Sequence, residues 1–406
     1  MDPFANPYNP GAGTRPPALV GREPELLAMD VALERLKRGT NGRSQLLTGL
    51  RGVGKTVLLN EFEELALGRG YFHEHIEVSD DGSLAPLLAS ALRRVLLAMD
   101  AKKRIGDAIK RALGVLKAFS FRIPEGPELS IDVDAVIGPA DSGDLATDLS
   151  GLFVELGQVA RQHDAGIMLT IDELHYVDMP TLTALIVGLH RSSQLRLPVI
   201  VAGAGLPTLA SLSGASKTYA ERMFTFPIIG SLSGDHAIEA LQTPAADLGV
   251  SWSPSALDRV LEVTQCFPYF LQEFGKAAWD VADGPDVITL DDLERCIPLA
   301  EAELDDGFFR VRTGATSDAE RRYMSAMAQL GPGPVRTVDV ADLLGRDANA
   351  VSRVREGLLK GALCYSPRYG EIAFTVPLFD QFMKRWLPYD ANDTAFEVSE
   401  RRPRFR

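Results

Sequence analysis

One stretch near the N terminus has the residue types and spacing of a phosphate-binding loop. It reads Gly49-Leu50-Arg51-Gly52-Val53-Gly54-Lys55-Thr56 and matches the pattern G-x-x-x-x-G-K-[ST] at every specified position. Glycines let backbone N–H groups converge on phosphate oxygens, and the start of the next helix adds a favourable partial charge. We expect Lys55 to reach the β- and γ-phosphates of a nucleotide and the Thr56 hydroxyl to ligate Mg²⁺, with Val57 completing the nucleotide site.

A second group of reactive residues ends an apolar run at residues 167–171, which Asp172 and Glu173 follow directly. A buried strand that ends in two acids fits best where the acids emerge at the carboxyl edge of a parallel sheet, the edge at which such sheets bind ligands. There Asp172 would hold Mg²⁺ through its water shell, and Glu173 would orient or deprotonate an attacking water. The alternative is a pair of acids at a helix N terminus.

The elements that must position these residues alternate between strand-length apolar runs and helical patterns. The apolar runs cover residues 45–50, 72–78, 167–171, 198–202 and 223–229. This alternation predicts an α/β fold with a parallel sheet flanked by helices, in the manner of P-loop NTPases. Past residue 232 the strand signals stop and helical patterns continue to about residue 313.

The sequence divides into five predicted segments. Residues 1–18 form an extended arm, residues 19–232 the phosphate-loop core with an insertion at 79–150, and residues 233–312 a helical lid. In residues 313–390, three helical patterns precede a hairpin-like pair of strands, which predicts a winged helix-turn-helix domain. Residues 391–406 form a flexible basic tail.

Composition and charge limit the class of protein. The 406 residues are 46% hydrophobic and 24% charged, which excludes a largely disordered chain, a collagen-like fibre and a disulfide scaffold. A net charge of −13 restricts nucleic-acid contacts to a local basic patch. The insertion contains one such patch in the stretch AKKRIGDAIKRALGVLKAF, which predicts an amphipathic surface helix. Contact with a DNA backbone and attachment to a membrane surface are its alternatives.

The sequence has no feature that directs it to a membrane or to an oxidising compartment. Cys266, Cys296 and Cys364 are scattered and form no CxxC pair, and the first residues lack the pattern of a signal peptide. We therefore expect a cytoplasmic protein without a membrane partner.

With both acidic and phosphate-loop motifs in place, the chain resembles the AAA+ ATPases over roughly residues 16–390, and within them the origin-initiator-like and STAND-like branch of bacteria and archaea. The resemblance implies that Val20, in the sequence VGRE, packs near the adenine. It places residues 199–205, VIVAGAG, where relatives carry a polar sensor; this chain has only alanine and glycine at the end of that run.

The same resemblance implies two further site residues. Arg222 stands where related proteins carry an arginine finger, which would act on a neighbouring subunit's nucleotide; an ion pair with Glu221 is the alternative. Pro268 belongs to a segment that resembles the Gly-x-Pro motif of the STAND-like lid, in which a helix start contacts the nucleotide. Cys266 replaces the glycine of that motif, so its backbone freedom is lost.

Three histidines lie near the predicted site. His73 and His75 alternate onto one strand face, a spacing compatible with a metal but also with ordinary packing. His175 follows Glu173 by two residues and would either sense the attacking water or make a structural hydrogen bond.

The C-terminal segment is less acidic than the rest of the chain. Residues 316–406 contain 14 Lys or Arg and 12 Asp or Glu, a net charge of +2 against −15 for the remainder. Arg346, Arg353, Arg355, Lys360 and Arg368 lie on or beside the predicted recognition helix and wing. We expect the segment to bind double-stranded DNA; a winged helix that contacts a protein or is autoinhibitory is the alternative.

These patterns favour an ATPase that converts ATP to ADP and phosphate with Mg²⁺ and passes its nucleotide state to the winged helix, acting as a homo-oligomer or with a partner. Lys55, Glu173 and Arg222 are its predicted catalytic residues. The alternative is a STAND-like switch with little turnover and protein rather than DNA contacts. A simple transcription regulator is a third hypothesis.

Overall fold

A computed structural model of the chain describes residues 1–79, 84–103, 106–121, 133–209 and 220–390. It separates into two compact units. The sheet unit comprises Gly21–Gly49 and Gly54–Ile229, and the helical unit comprises Met1–Val20, Leu50–Val53 and the chain from Gly230 onward. The predicted basic tail and part of the predicted insertion lie outside the described residues. The five predicted segment boundaries stay a prediction.

The sheet unit is built on five parallel strands in the order β2-β3-β4-β1-β5. In chain order the strands are β1 (Ser44–Thr48), β2 (Tyr71–Glu77), β3 (Gly166–Asp172), β4 (Val199–Gly205) and β5 (Phe224–Thr225). The inner strands β3 and β4 are buried at every position, which explains why they read as continuous apolar runs. The predicted parallel sheet flanked by helices is confirmed.

Within the described ranges, seven α-helices precede or follow these strands. They are α1 (Glu23–Lys37), α2 (Lys55–Gly68), α3 (Leu84–Lys103), α4 (Asp107–Ser120), α5 (Leu145–Gln162), α6 (Met179–Gln194) and α7 (Ala220–Met223). Asp144 and Asp178 cap α5 and α6 by accepting a backbone N–H in the first turn. Buried side chains of these helices, such as Phe153, join the sheet in one hydrophobic core.

The predicted amphipathic surface helix of the insertion is shorter than the basic stretch that indicated it. The structure divides that stretch between α3, which ends at Lys103, and α4, which begins at Asp107 after the extended residue Gly106. Glycine before Asp107 favours a new helix start over continuation. Helix α4 is amphipathic as expected: Ile109 and Leu116 are buried, whereas Arg111 pairs with Glu155 of α5 at 3.2 Å.

The helical unit continues the chain with five helical segments. They are α8 (Gly234–Ala246), α9 (Pro254–Thr264), α10 (Pro268–Val281), α11 (Leu290–Glu303) and α12 (Arg310–Thr313), with a π-helical stretch at Leu304–Phe309. The unit also contains two short parallel strands, β6 (Ser251–Trp252) and β7 (Val287–Ile288). These were not predicted, because two residues are too few to show an alternating pattern. Within the described ranges, no helix is long and apolar enough to cross a bilayer.

The C-terminal part of the helical unit contains every element predicted for it. Helices α13 (Asp318–Leu330), α14 (Thr337–Leu343) and α15 (Ser352–Lys360) precede the antiparallel pair β9 (Cys364–Tyr365) and β10 (Glu371–Phe374), and α16 (Phe379–Trp386) follows. A third strand, β8 (Val335–Arg336), pairs with β10. This is the element order of a winged helix-turn-helix.

The N-terminal arm is packed against the helical unit through one buried tyrosine. Tyr8 is 4% exposed, and its hydroxyl donates to the carbonyl of Leu241 at 2.6 Å while accepting from Trp252 Nε1 at 2.8 Å. Its ring meets Trp252 and Trp279 edge-on. Burial raises the pKa of the Tyr8 phenol well above its usual range. The predicted extended arm is therefore part of the folded unit.

Replacing this tyrosine tests the arm's contribution. Tyr8→Phe keeps the ring but removes the hydroxyl, which leaves the Leu241 carbonyl and the Trp252 N–H without their partner. We expect the free energy of unfolding to fall by about 1–3 kcal/mol. Urea denaturation measures this, with Tyr369→Phe at a fully exposed position as the control. Equal stability of the two variants would contradict the arm's role.

Candidate functional site

The phosphate-binding loop connects β1 to α2, as predicted. Strand β1 ends at Thr48 and α2 begins at Lys55, with Gly54 as its N-cap. Gly52 and Gly54 have φ angles of 85° and 90°, in the left-handed region that favours glycine. Gly52 and Gly54 are therefore needed for the shape of the turn that presents the backbone N–H groups.

Two side chains at the start of α2 make the central contacts of the sheet unit's site. The Lys55 ammonium donates to the carbonyl of Gly49 at 3.0 Å, so it is folded back over the loop. The Thr56 hydroxyl donates to Asp172 Oδ2 at 2.6 Å. Asp172 is the last residue of β3 and is buried. The structure thus brings together Thr56 and Asp172, which are 116 positions apart in the sequence.

Glu173 is held in an unusual backbone conformation beside this cluster. Its φ of 54° is left-handed, which costs a non-glycine residue about 1–2 kcal/mol. Its N–H donates to Asp172 Oδ1 at 2.7 Å. Strain of this kind persists where the surroundings fix a functional residue in place. The turn separates the two carboxylates, so that Asp172 faces Thr56 while Glu173 is directed elsewhere.

His175 contacts the Glu173 side chain. Its Nδ1 lies 3.2 Å from Glu173 Oε2 and 3.4 Å from the backbone N of Leu206, the residue after β4. The Leu206 N–H donates to this nitrogen, and the imidazole lies against the Glu173 carboxylate. Strand β4 has only alanine and glycine where relatives were expected to carry a polar sensor. The histidine is thus the polar side chain that meets the end of β4, a placement that the sequence pattern alone did not indicate.

The donor set around Thr56 and Asp172 fits Mg²⁺. A hydroxyl and a carboxylate are hard oxygen ligands, and two protein ligands are what Mg²⁺ commonly takes beside phosphate oxygens and water. Because Thr56 donates its proton to Asp172, its oxygen lone pairs remain for a cation. Thr56 and Asp172 would therefore hold the ion, Asp172 through water.

His73 and His75 lie on either side of one carboxylate. His75 Nδ1 is 2.9 Å from Glu63 Oε1, and His73 Nδ1 is 3.7 Å from Glu63 Oε2. The hydrogen bond to Glu63 raises the pKa of His75. Among the residues the structure describes, no three His, Cys, Asp or Glu side chains are grouped to hold a metal.

In the helical unit, loop residues Leu50–Val53 contact the start of α10 and the C-terminal sheet. Tyr269 N–H donates to the carbonyl of Gly52 at 3.3 Å, and Arg51 N–H donates to the carbonyl of Thr375 at 3.0 Å. A Cβ on Gly52 would lie 2.9 Å from the Phe267 ring. Pro268, predicted to begin a helix at the nucleotide, is the first residue of α10 and follows Phe267 directly.

The turn before Pro268 has the left-handed backbone conformation that glycine favours, although it contains no glycine. Gln265 and Cys266 have φ angles of 51° and 56°. The Cys266 carbonyl accepts a hydrogen bond from Leu232 N–H at 3.0 Å, which helps to hold the turn. We expected the cysteine to remove the conformational freedom of the motif. The backbone instead takes the left-handed conformation at a cost of about 1–2 kcal/mol per residue, so the helix start is preserved.

The remaining predicted site residues lie in three different places. Arg222 is exposed in α7, immediately before Phe224, which pairs with Ser44 at the start of β1. It is thus at the opposite end of β1 from Gly49, and it makes no ion pair with Glu221 or any other described residue. Val57 is buried in the first turn of α2. Val20 lies three residues before Glu23, the first residue of α1, and its contact with adenine stays a prediction.

Comparison with known families identifies the part of the chain that carries the site. Residues 18–202 match the family model described as AAA ATPase domain. These residues form an AAA ATPase domain. It contains the phosphate loop, Asp172, Glu173, the first three strands of the sheet and the beginning of the fourth. A second model, a domain of unknown function (DUF8462), matches residues 306–383. None of the curated proteins matches the sequence.

Solved structures with similarity to the whole chain include three with low sequence identity. The RuvB Holliday junction branch migration motor of Thermotoga maritima is 16% identical with a TM-score of 0.43, over 91% of this chain and 95% of that one. Aeropyrum pernix Orc1, in complex with DNA, is 15% identical with a TM-score of 0.45, over 91% and 93%. Cdc6p of Pyrobaculum aerophilum is 14% identical with a TM-score of 0.46, over 95% and 97%.

Proposed function

We propose that this protein hydrolyses ATP to ADP and phosphate with Mg²⁺ and transmits its nucleotide state to the C-terminal module, which acts on DNA or on a protein partner. The observation that carries the proposal is the 2.6 Å hydrogen bond between Thr56 and Asp172, with Glu173 adjacent. It supports one nucleotide site assembled from both motifs. The direct test is phosphate release from ATP by the purified protein with Mg²⁺, compared with the same assay in excess EDTA.

Each residue of the site has one role in this reaction. The backbone N–H groups from Leu50 to Thr56 bind phosphate oxygens, and Lys55 exchanges its contact with the Gly49 carbonyl for the β- and γ-phosphates. Mg²⁺ neutralises charge on the same phosphates when bound. Glu173, whose carboxylate lies beside His175, accepts a proton from the water that attacks the γ-phosphorus. The phosphorus–oxygen bond to ADP breaks as that water's oxygen bonds to phosphorus.

The contacts of the loop backbone support coupling to the C-terminal module. Arg51 and Gly52 hydrogen-bond to Thr375 and Tyr269, all within the helical unit. A nucleotide that orders Leu50–Val53 would change the strength of these two bonds. Through Thr375, which follows β10, the change would reach the small antiparallel sheet beside α15.

Arg222 would contribute to turnover only in an oligomer. It lies at the far end of β1 from its own chain's phosphate loop, so its guanidinium would act on the nucleotide of a neighbouring copy. Its exposure and lack of an ion pair among the described residues support this role. A turnover number that rises with protein concentration supports a homo-oligomer, whereas a constant one opposes it.

A nucleotide-dependent switch with little turnover is the second candidate function. The observation in its favour is that β4 ends in buried alanine and glycine, with no polar side chain of its own to contact a γ-phosphate. In this account the nucleotide changes protein contacts without being consumed. Substitution of Glu173 separates the two functions.

We also propose a cytoplasmic location. The support is that Cys266, Cys296 and Cys364 are free thiols, two of them buried. Burial raises the pKa of Cys296 to about 12, which keeps that thiol protonated and unreactive. Such idle thiols are typical of a reducing compartment.

DNA binding by the C-terminal module would depend on few phosphate contacts. Arg353 and Arg368 are exposed, whereas Arg355 donates to Ser366 and to the Glu371 carbonyl of the hairpin. We expect the affinity for duplex DNA to fall at least about tenfold between 50 and 200 mM salt. Replacing Arg353 and Arg368 by alanine should lower the salt slope by about one for each residue.

Fluorescence anisotropy with a labelled duplex measures both effects. Arg310→Ala, an exposed arginine outside the module that pairs with Asp306, is the matched control. A salt-independent affinity, or an equal loss in the control, would contradict DNA binding by this module and favour a protein partner.

A further inference from the structure

A cavity of about 460 Å³ opens in the sheet unit at the end of the sheet opposite the phosphate loop. Its walls come from α1, the turn before β1, the end of α6, the start of β4, and α7 with β5. Apolar side chains of Val31, Leu36, Leu189 and Val199 form part of its lining. The volume is in the range of small-molecule sites, which is roughly 300–1,000 Å³.

The charged residues that line this cavity all have the same sign. Arg35, Arg43 and Arg222 contribute to the wall, and none of its other described residues is an Asp or Glu. None of the three is ion-paired with a residue in the described ranges; the Arg35 side chain donates from Nε to the carbonyl of Asn41 at 2.9 Å. Three such arginines around one cavity are unexpected in a chain of net charge −13, where acids outnumber bases by 55 to 42.

A buried polar atom in the same wall has no partner. Gln45 is 1% exposed and lines the cavity; its amide nitrogen donates to the carbonyl of Glu25 at 3.2 Å. Its Oε1 accepts no hydrogen bond from any described residue. Buried carbonyl oxygens without a donor are uncommon in folded proteins and each calls for an explanation. A bound molecule with an N–H or O–H group would supply the missing donor.

We propose that this cavity binds a small organic anion with an apolar body, at a site separate from the phosphate loop. The apolar wall takes the body of the ligand, and the guanidinium groups take one phosphate or carboxylate, which they match as paired N–H donors. An inorganic anion alone would not contact the apolar side chains of the wall. An uncharged ligand would leave the guanidinium groups unpaired.

Isothermal titration calorimetry in saturating ADP tests the proposal, because ADP occupies the phosphate loop. The probes are 1-naphthyl phosphate and 1-naphthoate, with 1-naphthol and inorganic phosphate as the matched molecules that lack the anion or the body. We expect saturable 1:1 binding of at least one naphthyl anion, and at least tenfold weaker binding of naphthol and of phosphate. The two naphthyl probes distinguish a phosphate-bearing ligand from a carboxylate-bearing one.

Two substitutions then locate the binding. Arg43→Gln removes an exposed guanidinium from the wall, and Ala28→Phe fills the cavity from the exposed side of α1. Each should weaken the naphthyl anion at least tenfold, whereas Arg161→Gln, an exposed arginine at the end of α5, should not. Arg222 is left unchanged because it is placed in the proposed turnover machinery.

Three results would overturn the proposal: no saturable binding of either naphthyl anion, binding that ADP displaces, or binding that Arg43→Gln and Ala28→Phe leave intact. The ATP turnover of both variants should equal that of the native protein, so a failure here is distinguishable from a failure of the proposed ATPase.

Discussion

The Lys55→Ala variant is expected to lose ATP binding at micromolar nucleotide, with an affinity at least about 100-fold lower than that of the native chain. The motif uses this ammonium group as the cation for the β- and γ-phosphates. It already lies over the loop, donating to the Gly49 carbonyl at 3.0 Å. Removing it leaves the highly charged phosphates without their counter-charge in a partly dry site.

Calorimetric titration with ATP and Mg²⁺ measures this loss. Lys110→Ala, which removes an exposed lysine of α4 far from the loop in sequence, is the control and should bind ATP like the native protein. Circular dichroism checks that both variants fold, since Lys55 is buried at the start of α2. Unchanged ATP affinity in a folded Lys55→Ala protein would contradict the assignment of the phosphate loop.

The Glu173→Gln variant is expected to lose turnover by about 10²–10⁴-fold while binding ATP as tightly as the native chain. Glutamine keeps the size of the side chain but does not accept a proton from the attacking water. Phosphate, Lys55, Thr56 and Asp172 contacts are untouched, so binding is preserved. Single-turnover phosphate release and equilibrium ATP binding, measured on the same preparation, separate the two effects.

Glu77→Gln is a close control for this experiment. Glu77 ends β2 and is the strand-register partner of Asp172, so it is a carboxylate at the same edge of the sheet. It should turn over ATP at the native rate. If native protein and Glu173→Gln both bind ATP tightly and neither hydrolyses it, the nucleotide-switch function replaces the ATPase.

The central residues of the site could be predicted because they lie in, or directly after, sequence patterns that are easy to recognise. A buried parallel strand reads as a continuous apolar run, and residues that follow such a strand meet at one edge of the sheet. The sequence therefore predicts that Lys55, Thr56 and Asp172 lie close together. The Thr56 hydroxyl oxygen is 2.6 Å from Asp172 Oδ2. The AAA ATPase domain match over residues 18–202 agrees with this reasoning.

What the sequence could not predict depends on contacts between distant residues. Tyr8 lies in a Pro- and Gly-rich arm that reads as extended, and only the tertiary structure places it against Trp252 and Leu241. Cys266 adopts a left-handed φ that its residue type disfavours, because the surrounding turn is fixed by other contacts. The break between α3 and α4 was not predicted, because the helical periodicity of the charged stretch continues across Gly106, the residue before α4.

The arginine-lined cavity could not be predicted from the sequence either, for the same reason. Arg35, Arg43 and Arg222 belong to three separate elements, and no spacing in the sequence connects them. For Arg222, the resemblance to AAA+ ATPases implies a different role, that of an arginine finger acting on the nucleotide of a neighbouring subunit. The approach of β5 to the start of β1 is what places it beside Arg43.

The measurement that tests the central claim most directly is ATP turnover by the purified native protein in Mg²⁺ at low salt, with and without duplex DNA. We expect Mg²⁺-dependent phosphate release that duplex DNA increases. The reason is that the loop residues Arg51 and Gly52 make backbone hydrogen bonds within the unit that contains the C-terminal module. Tight ATP binding with no phosphate release in either condition would contradict it.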